Sequence, residues 1–165
     1  IVDTIGSPLS AAEVTLSIVF ASVTRGILIA IISTIIFSIF IDIKITSYLF
    51  FVIYLFLGSF LLGSAGFIAG LAVDKFDEMA TVTNFIVVPL SFLSGTFYSI
   101  TKLPEFLQVI SYYNPFFHII DGFRFAFIGN MDGSLKFGVM YLLILSILMW
   151  FACYYLYKKG YKIKS

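Results

Sequence analysis

Residues 48–73 run for about 26 positions without one charged side chain, and no other feature of the sequence narrows its folds more. As a helix rising ~1.5 Å per residue the run reaches ~39 Å, enough to cross a ~30 Å hydrocarbon layer with tilt. Lipid offers backbone amides no partner, so a chain crosses it as helices or as a closed barrel. A run this long without polar-apolar alternation is helical. Residues 11–41, 82–100 and 135–157 are further long apolar blocks, the first interrupted by Glu13 and Arg25 and the last by Lys136. Composition agrees: 61% of the chain is hydrophobic and 12% charged, whereas a soluble domain carries about a quarter charged residues. The expected fold is all-α, a polytopic helical membrane protein that forms a single transmembrane domain over residues 1–165.

Each block has its own punctuation. Ser7-Pro8-Leu9-Ser10-Ala11-Ala12-Glu13 holds a helix start, because Ser10 and Glu13 make a Ser-x-x-Glu capping box. The block that follows, about 31 residues or ~46 Å, exceeds the hydrocarbon layer and must tilt or protrude. Arg25 favours protrusion, with its stem snorkelling to the interface while residues 26–41 lie deeper. In the second block Ser59, Gly63, Gly66 and Gly70 recur on one helical face, a groove where another helix can approach closely. The third block carries Asn84 and is interrupted by Pro89, where a kink is expected.

Residues 103–128 are apolar enough to resemble a span, yet Asn114-Pro115 should end one helix and start another. Helices over 104–113 and 115–128 would measure ~15 Å and ~21 Å, too short to cross. Glu105, Asp121 and Arg124 would each cost roughly 2.5 to 3.5 kcal/mol at the centre of a spanning helix. A re-entrant helical hairpin over 103–128 fits better than a fifth span, an alternative that the charges do not strongly exclude. Tyr154, Tyr155 and Tyr157, followed by Lys158, Lys159, Lys162 and Lys164, make an aromatic collar and a positive-inside signature. Four transmembrane helices then put both ends of the chain in the cytoplasm and the hairpin outside. Arg25, Lys75 and the four tail lysines fall inside under this topology; Lys44, Lys102, Arg124 and Lys136 fall outside. The chain opens Ile-Val-Asp-Thr, without an initiating Met or a basic leader, and reads as a piece of a longer chain.

Reagents for catalysis are scarce. One His, one Cys, and neither a His-Glu-x-x-His nor a Gly-x-Ser-x-Gly motif leave no enzyme, metal or cofactor reading. Gly58-Ser59-Phe60-Leu61-Leu62-Gly63-Ser64 is the nearest match to a phosphate loop, but Ser64 stands where the Lys belongs and the stretch lies within a span. If ATP drives this protein, another polypeptide hydrolyses it. A net charge of +1 gives no sign of nucleic-acid binding. Cys153 has no partner for a disulfide and reads as packing.

His118, Asp121 and Arg124 recur at i, i+3 and i+6 as a polar stripe in which Asp121 and Arg124 can pair. The simpler reading is a charge pair anchoring the hairpin at the headgroup level; the sharper one is a substrate headgroup site. Asn84 suits an interhelical hydrogen bond or a pathway wall. Arg25 suits a snorkelling anchor or a contact with anionic lipid headgroups or cargo. Asp74, Asp77 and Glu78 read as a solvated loop or a docking surface for a partner.

The stretch Asn84-Phe85-Ile86-Val87-Val88-Pro89-Leu90-Ser91-Phe92-Leu93-Ser94-Gly95-Thr96-Phe97-Tyr98 is followed by Leu103-Pro104, Asn114-Pro115 and Asp121-Gly122-Phe123-Arg124. This ordered set resembles the C-terminal part of ABC type-2 exporter permeases, and most of all bacterial multidrug-type permeases. Ser7-Pro8-Leu9-Ser10 with Glu13, and Thr24-Arg25-Gly26, also match that pattern. The resemblance covers nearly the whole chain. It implies a permease dimer, homo- or heteromeric, working with two copies of a cytoplasmic ABC ATPase subunit. Each permease would have about six spans, of which this chain lacks the first two. It also implies that Ser7, Pro8, Ser10 and Glu13 lie near the ATPase contact, and that the hairpin helps close the pathway. Candidate pathway or gate residues are then Asn84, Pro89, Gly95, Asn114, Pro115, His118, Asp121 and Arg124. The expected function is ATP-driven export of a lipid, drug or lipid-linked glycan across the cytoplasmic membrane. A secondary transporter or channel not driven by ATP, and a truncated membrane scaffold, stand as alternatives.

Overall fold

The computed structural model describes residues 10–73 and 75–160, and every regular element among them is helical. Ser7, Pro8, Asp74, Lys162 and Lys164 lie outside the described residues. Helix α1, Ala11–Phe40, begins at the expected box: Ser10 N–H donates to Glu13 Oε2 at 2.6 Å and Glu13 N–H to Ser10 Oγ at 3.3 Å. Helix α2, Tyr48–Ala72, and helix α7, Leu135–Lys158, follow the second and last apolar blocks. Among the described residues, α1, α2 and α7 are the helices long and apolar enough to cross a membrane.

α2 is the hub of the fold. It packs on α1 and α7, and its first half also packs on the second hairpin helix, α6, which spans Pro115–Ile128. Tyr54, Leu57 and Leu61 from α2, Ile119 from α6 and Leu142 from α7 form the core. The expected small-residue face of α2 is divided. A Cβ on Gly63 would stand 2.6 Å from Ser22 Cβ, so α1 lies against it, and Ser59 likewise meets Gly26 of α1. Gly66 and Gly70 face open space. Tyr54 is wedged between glycines of two neighbours: a Cβ on Gly122 would enter its ring, and one on Gly138 would stand 2.9 Å from its hydroxyl.

The third apolar block differs from the helix expected over 82–100. Helix α3 starts earlier, at Phe76–Val82, passes through a π-helical turn at Thr83–Val87, and continues as α4, Val88–Phe92. Residues 83, 87 and 88 all hold right-handed helical backbone, so the rod is continuous. Pro89 explains the π turn. Its ring crowds the carbonyl four residues back, and the ladder widens by one residue, Val88 N–H reaching Thr83 O. Beyond Phe92 the chain stays apolar but leaves the helix. Side chains capture the last carbonyls there: Tyr98 Oη donates to Phe92 O at 2.8 Å, and the Ser94 hydroxyl bonds Ser91 O. Gly95, at φ 73°, takes the left-handed turn that follows.

The hairpin consists of α5, Glu105–Tyr113, and α6, after a 3-10 turn at Ile100–Lys102. At 9 and 14 residues they are ~14 Å and ~21 Å long, and neither reaches across a bilayer.

Candidate functional site

Asn114 holds the apex of the hairpin. It ends α5, and its Oδ1 accepts from Phe116 N–H at 3.0 Å to cap α6, where Pro115 supplies a first residue needing no donor. Its Nδ2 donates to Leu90 O at 2.6 Å, a carbonyl left without a partner by the end of α4. A 3% exposed side chain thus satisfies two helix ends and ties the hairpin to the third apolar rod.

One turn beyond, His118 is also buried. Its Nε2 lies 2.8 Å from Tyr112 O, while Tyr141 Oη donates to Tyr113 O at 2.6 Å. Together they cap the carbonyl end of α5. The imidazole sits among the rings of Phe117, Phe137 and Tyr141, with centroids 4.8–5.5 Å away. Burial holds its pKa below the usual 6.5, against the opposing pull of the Tyr112 carbonyl and of Asp121. Because a carbonyl oxygen only accepts, Nε2 carries the proton in the bond to Tyr112 O.

The Asp121–Arg124 pair is part of a larger assembly. Asp121, 2% exposed, accepts from two loop amides: Asp132 N–H on Oδ1 and Gly133 N–H on Oδ2, both at 2.9 Å. Arg124 Nη1 lies 3.3 Å from Asp121 Oδ1 and 3.0 Å from Asp132 Oδ2, and Nη2 donates to Gly95 O. Asp132 Oδ2 also accepts from Ser99 Oγ at 2.8 Å and from Ile100 N–H at 3.2 Å. One guanidinium thereby joins the end of the third rod, the second hairpin helix and the loop that leads into α7. The second carboxylate is stabilised by amide and hydroxyl donors. With Arg124 and Asp132 side chains only 23% and 20% exposed, losing one partner leaves nearby charges poorly solvated. The left-handed turn at Gly95 aims that carbonyl at Arg124, and a Cβ there would meet Tyr98 O at 3.3 Å.

Gly95, Asn114, Pro115, His118, Asp121 and Arg124 thus converge on one end of the molecule. Asn84 and Pro89 do not join them: both are exposed on the rod, and Asn84 makes no side-chain hydrogen bond among the described residues. Ser10 and Glu13 cap α1. Asp132 and Ser99 are members that the spacing of the stripe does not reach. The one available signal is the Asp132-Gly133 pair in a short link between apolar helices, a turn-forming dipeptide with a charge that needs a partner. Among the described residues no group of His, Cys, Asp and Glu side chains is disposed to hold a metal. The assembly is a hydrogen-bonded network that ties three segments of the chain together.

Comparison with known proteins identifies relatives of the chain. A family model described as "ABC-2 type transporter" matches residues 2–128. The "Inner membrane transport permease YadH" of Escherichia coli K12 is 34% identical over 145 residues, 87% of this chain and 56% of that protein. The protein of the same name from Shigella flexneri matches equally well. The chain spans about half the length of these curated relatives. No solved structure matches it.

Proposed function

We propose that this chain, which belongs to the ABC-2 type transporter family, acts within the membrane-spanning subunit of an ATP-driven exporter. Four spans cross the bilayer: α1, α2, the rod from α3 through α4 with the residues after it, and α7. The hairpin α5–α6 dips in from the extracytoplasmic side and both ends of the chain are cytoplasmic, in the inner membrane. Two copies of an ABC ATPase subunit bind on the cytoplasmic side near Ser7, Pro8, Ser10 and Glu13, and a second permease subunit completes the pathway. The cargo is a lipid, a drug or a lipid-linked glycan, classes suited to walls of Phe, Tyr, Ile and Leu.

The single observation that carries the gate assignment is the Arg124 latch, which fastens the hairpin to the end of the third rod. In the closed state it holds Gly95, Asp121 and Asp132 together. ATP-driven closure of the ATPase pair moves the cytoplasmic helix ends, and the state that releases the hairpin is favoured only by contacts it alone makes. The test is reconstitution of the full-length permease with its ATPase subunit. Stable association and permease-dependent stimulation of ATP hydrolysis are expected. An ATPase that neither binds nor responds contradicts the proposal.

A further inference from the structure

We infer that Arg25 and the groove between α1 and α2 form a binding site for the phosphate-bearing headgroup of a membrane lipid, a role independent of the gate and of the exporter reading. The two arginines of the chain are held in opposite ways. Arg124 is enclosed by two carboxylates and a carbonyl. Arg25 makes no ion pair or hydrogen bond among the described residues, although it interrupts an apolar 30-residue helix. A cation kept there without a protein counter-charge needs water or an external anion.

Depth selects the anion. From Arg25 to the C-cap Ile41 is about 16 residues, or ~24 Å of helix. With that end at one boundary of a ~30 Å hydrocarbon layer, the Arg25 backbone lies ~6 Å inside the other, within snorkelling reach of the lipid phosphates. A cavity of about 250 Å³ opens beside it, lined by Ser22, Arg25, Gly26, Ser59 and Gly63 among others. Small residues at Gly26 and Gly63 bring the two backbones together, leaving the guanidinium and hydroxyls over an otherwise apolar surface. Ser22 Oγ is engaged with Ile18 O at 3.1 Å, while the Ser59 hydroxyl has no partner among the described residues. A planar guanidinium fork and a free hydroxyl, both donors, match phosphate oxygens and give a neutral glycerolipid nothing comparable.

Native mass spectrometry of the full-length protein in neutral detergent tests the site, with dioleoyl phosphatidylglycerol as the probe. The unsubstituted protein should keep one phosphatidylglycerol adduct and not a dioleoylglycerol adduct. Arg25→Gln should weaken that adduct about fivefold, the effect of one basic residue near a lipid surface. Lys136→Gln, at a helix end, should leave it unchanged. Undiminished binding by Arg25→Gln overturns the inference, and so does displacement of the adduct by an equal concentration of inorganic phosphate, which would mark a site for free anions. Should the Arg25→Gln protein fail to fold, the unsubstituted protein decides: equal retention of phosphatidylglycerol and dioleoylglycerol overturns the site.

Discussion

The two ends of α2 are built by different means. Where α2 begins, it meets the hairpin, and Asn114, His118, Asp121, Arg124 and Asp132 fix three loops through directed hydrogen bonds. Toward its other end Ser59 and Gly63 pack on α1 by close approach, and Gly66 and Gly70 face open space. The second half of α1, which runs antiparallel to α2 and so returns toward the hairpin end, is exposed on most sides, Ile39 and Phe40 at 75% and 78%, as suits a surface solvated by lipid or covered by another subunit. Directional bonds define one geometry and fail when a partner is lost. Close packing without directed bonds feels an added methyl group only where the faces touch, and leaves packed helices free to slide along one another. A latch belongs to the hairpin contacts, and a sliding or docking surface to the exposed face of α1 and the open glycine face of α2.

The contrast can be broken most severely at Arg124. Arg124→Leu strands Asp121 and Asp132 beside each other, and a loss of about 3 kcal/mol is expected in denaturant unfolding of the detergent-solubilised protein. The same substitution combined with Asp132→Asn should cost less than the sum of the two alone, because one of the two stranded charges, and its repulsion of the other, is gone. Next in size is Gly122→Ala, which drives a methyl group into the Tyr54 ring and should cost about 1–3 kcal/mol by the same measurement. Asn114→Ala removes the α6 cap and the Leu90 bond together, for an expected loss of about 1–2 kcal/mol. At the other end, Gly63→Ala should destabilise measurably by meeting Ser22, whereas Gly66→Ala should change stability by less than about 0.5 kcal/mol. Equal effects at the two glycines would erase the distinction between packed and open halves of that face.

Acid provides a gentler probe of the hairpin. His118 titrates below 6.5 in the fold because burial disfavours its charged form. Its contribution to stability is therefore complete above its unfolded pKa and is lost as pH falls through the lowered folded value. Thermal unfolding followed from pH 7 to pH 5 should show a loss that His118→Phe reduces. An unchanged pH profile in that variant would place the acid response elsewhere.

Much of the scaffold could be read in advance because its signals are local. The Ser10–Glu13 box, the uncharged run of α2 and the Asn114-Pro115 break each act within a few residues. The third block was legible only in part. Pro89 marked the disturbance, but neither the π turn that accommodates it nor the end at Phe92 follows from hydropathy, since the residues after Phe92 remain apolar. The partners of Arg124 were half legible. Asp121 lies one turn away on the same helix, whereas Asp132 and Gly95 arrive through the folding of two separate loops, which no helical spacing records.

The central claim is that the hairpin enters and leaves the membrane on one side, so that Lys102 before it and Lys136 after it share a face. Single cysteines at these positions, in a full-length protein with Cys153 replaced by Ser, can be challenged in intact cells with a membrane-impermeant maleimide. Labelling of both from the extracytoplasmic side is the expected result. Labelling of one from outside and protection of the other until the cells are opened would make residues 103–128 a true span and contradict the topology and the gate together.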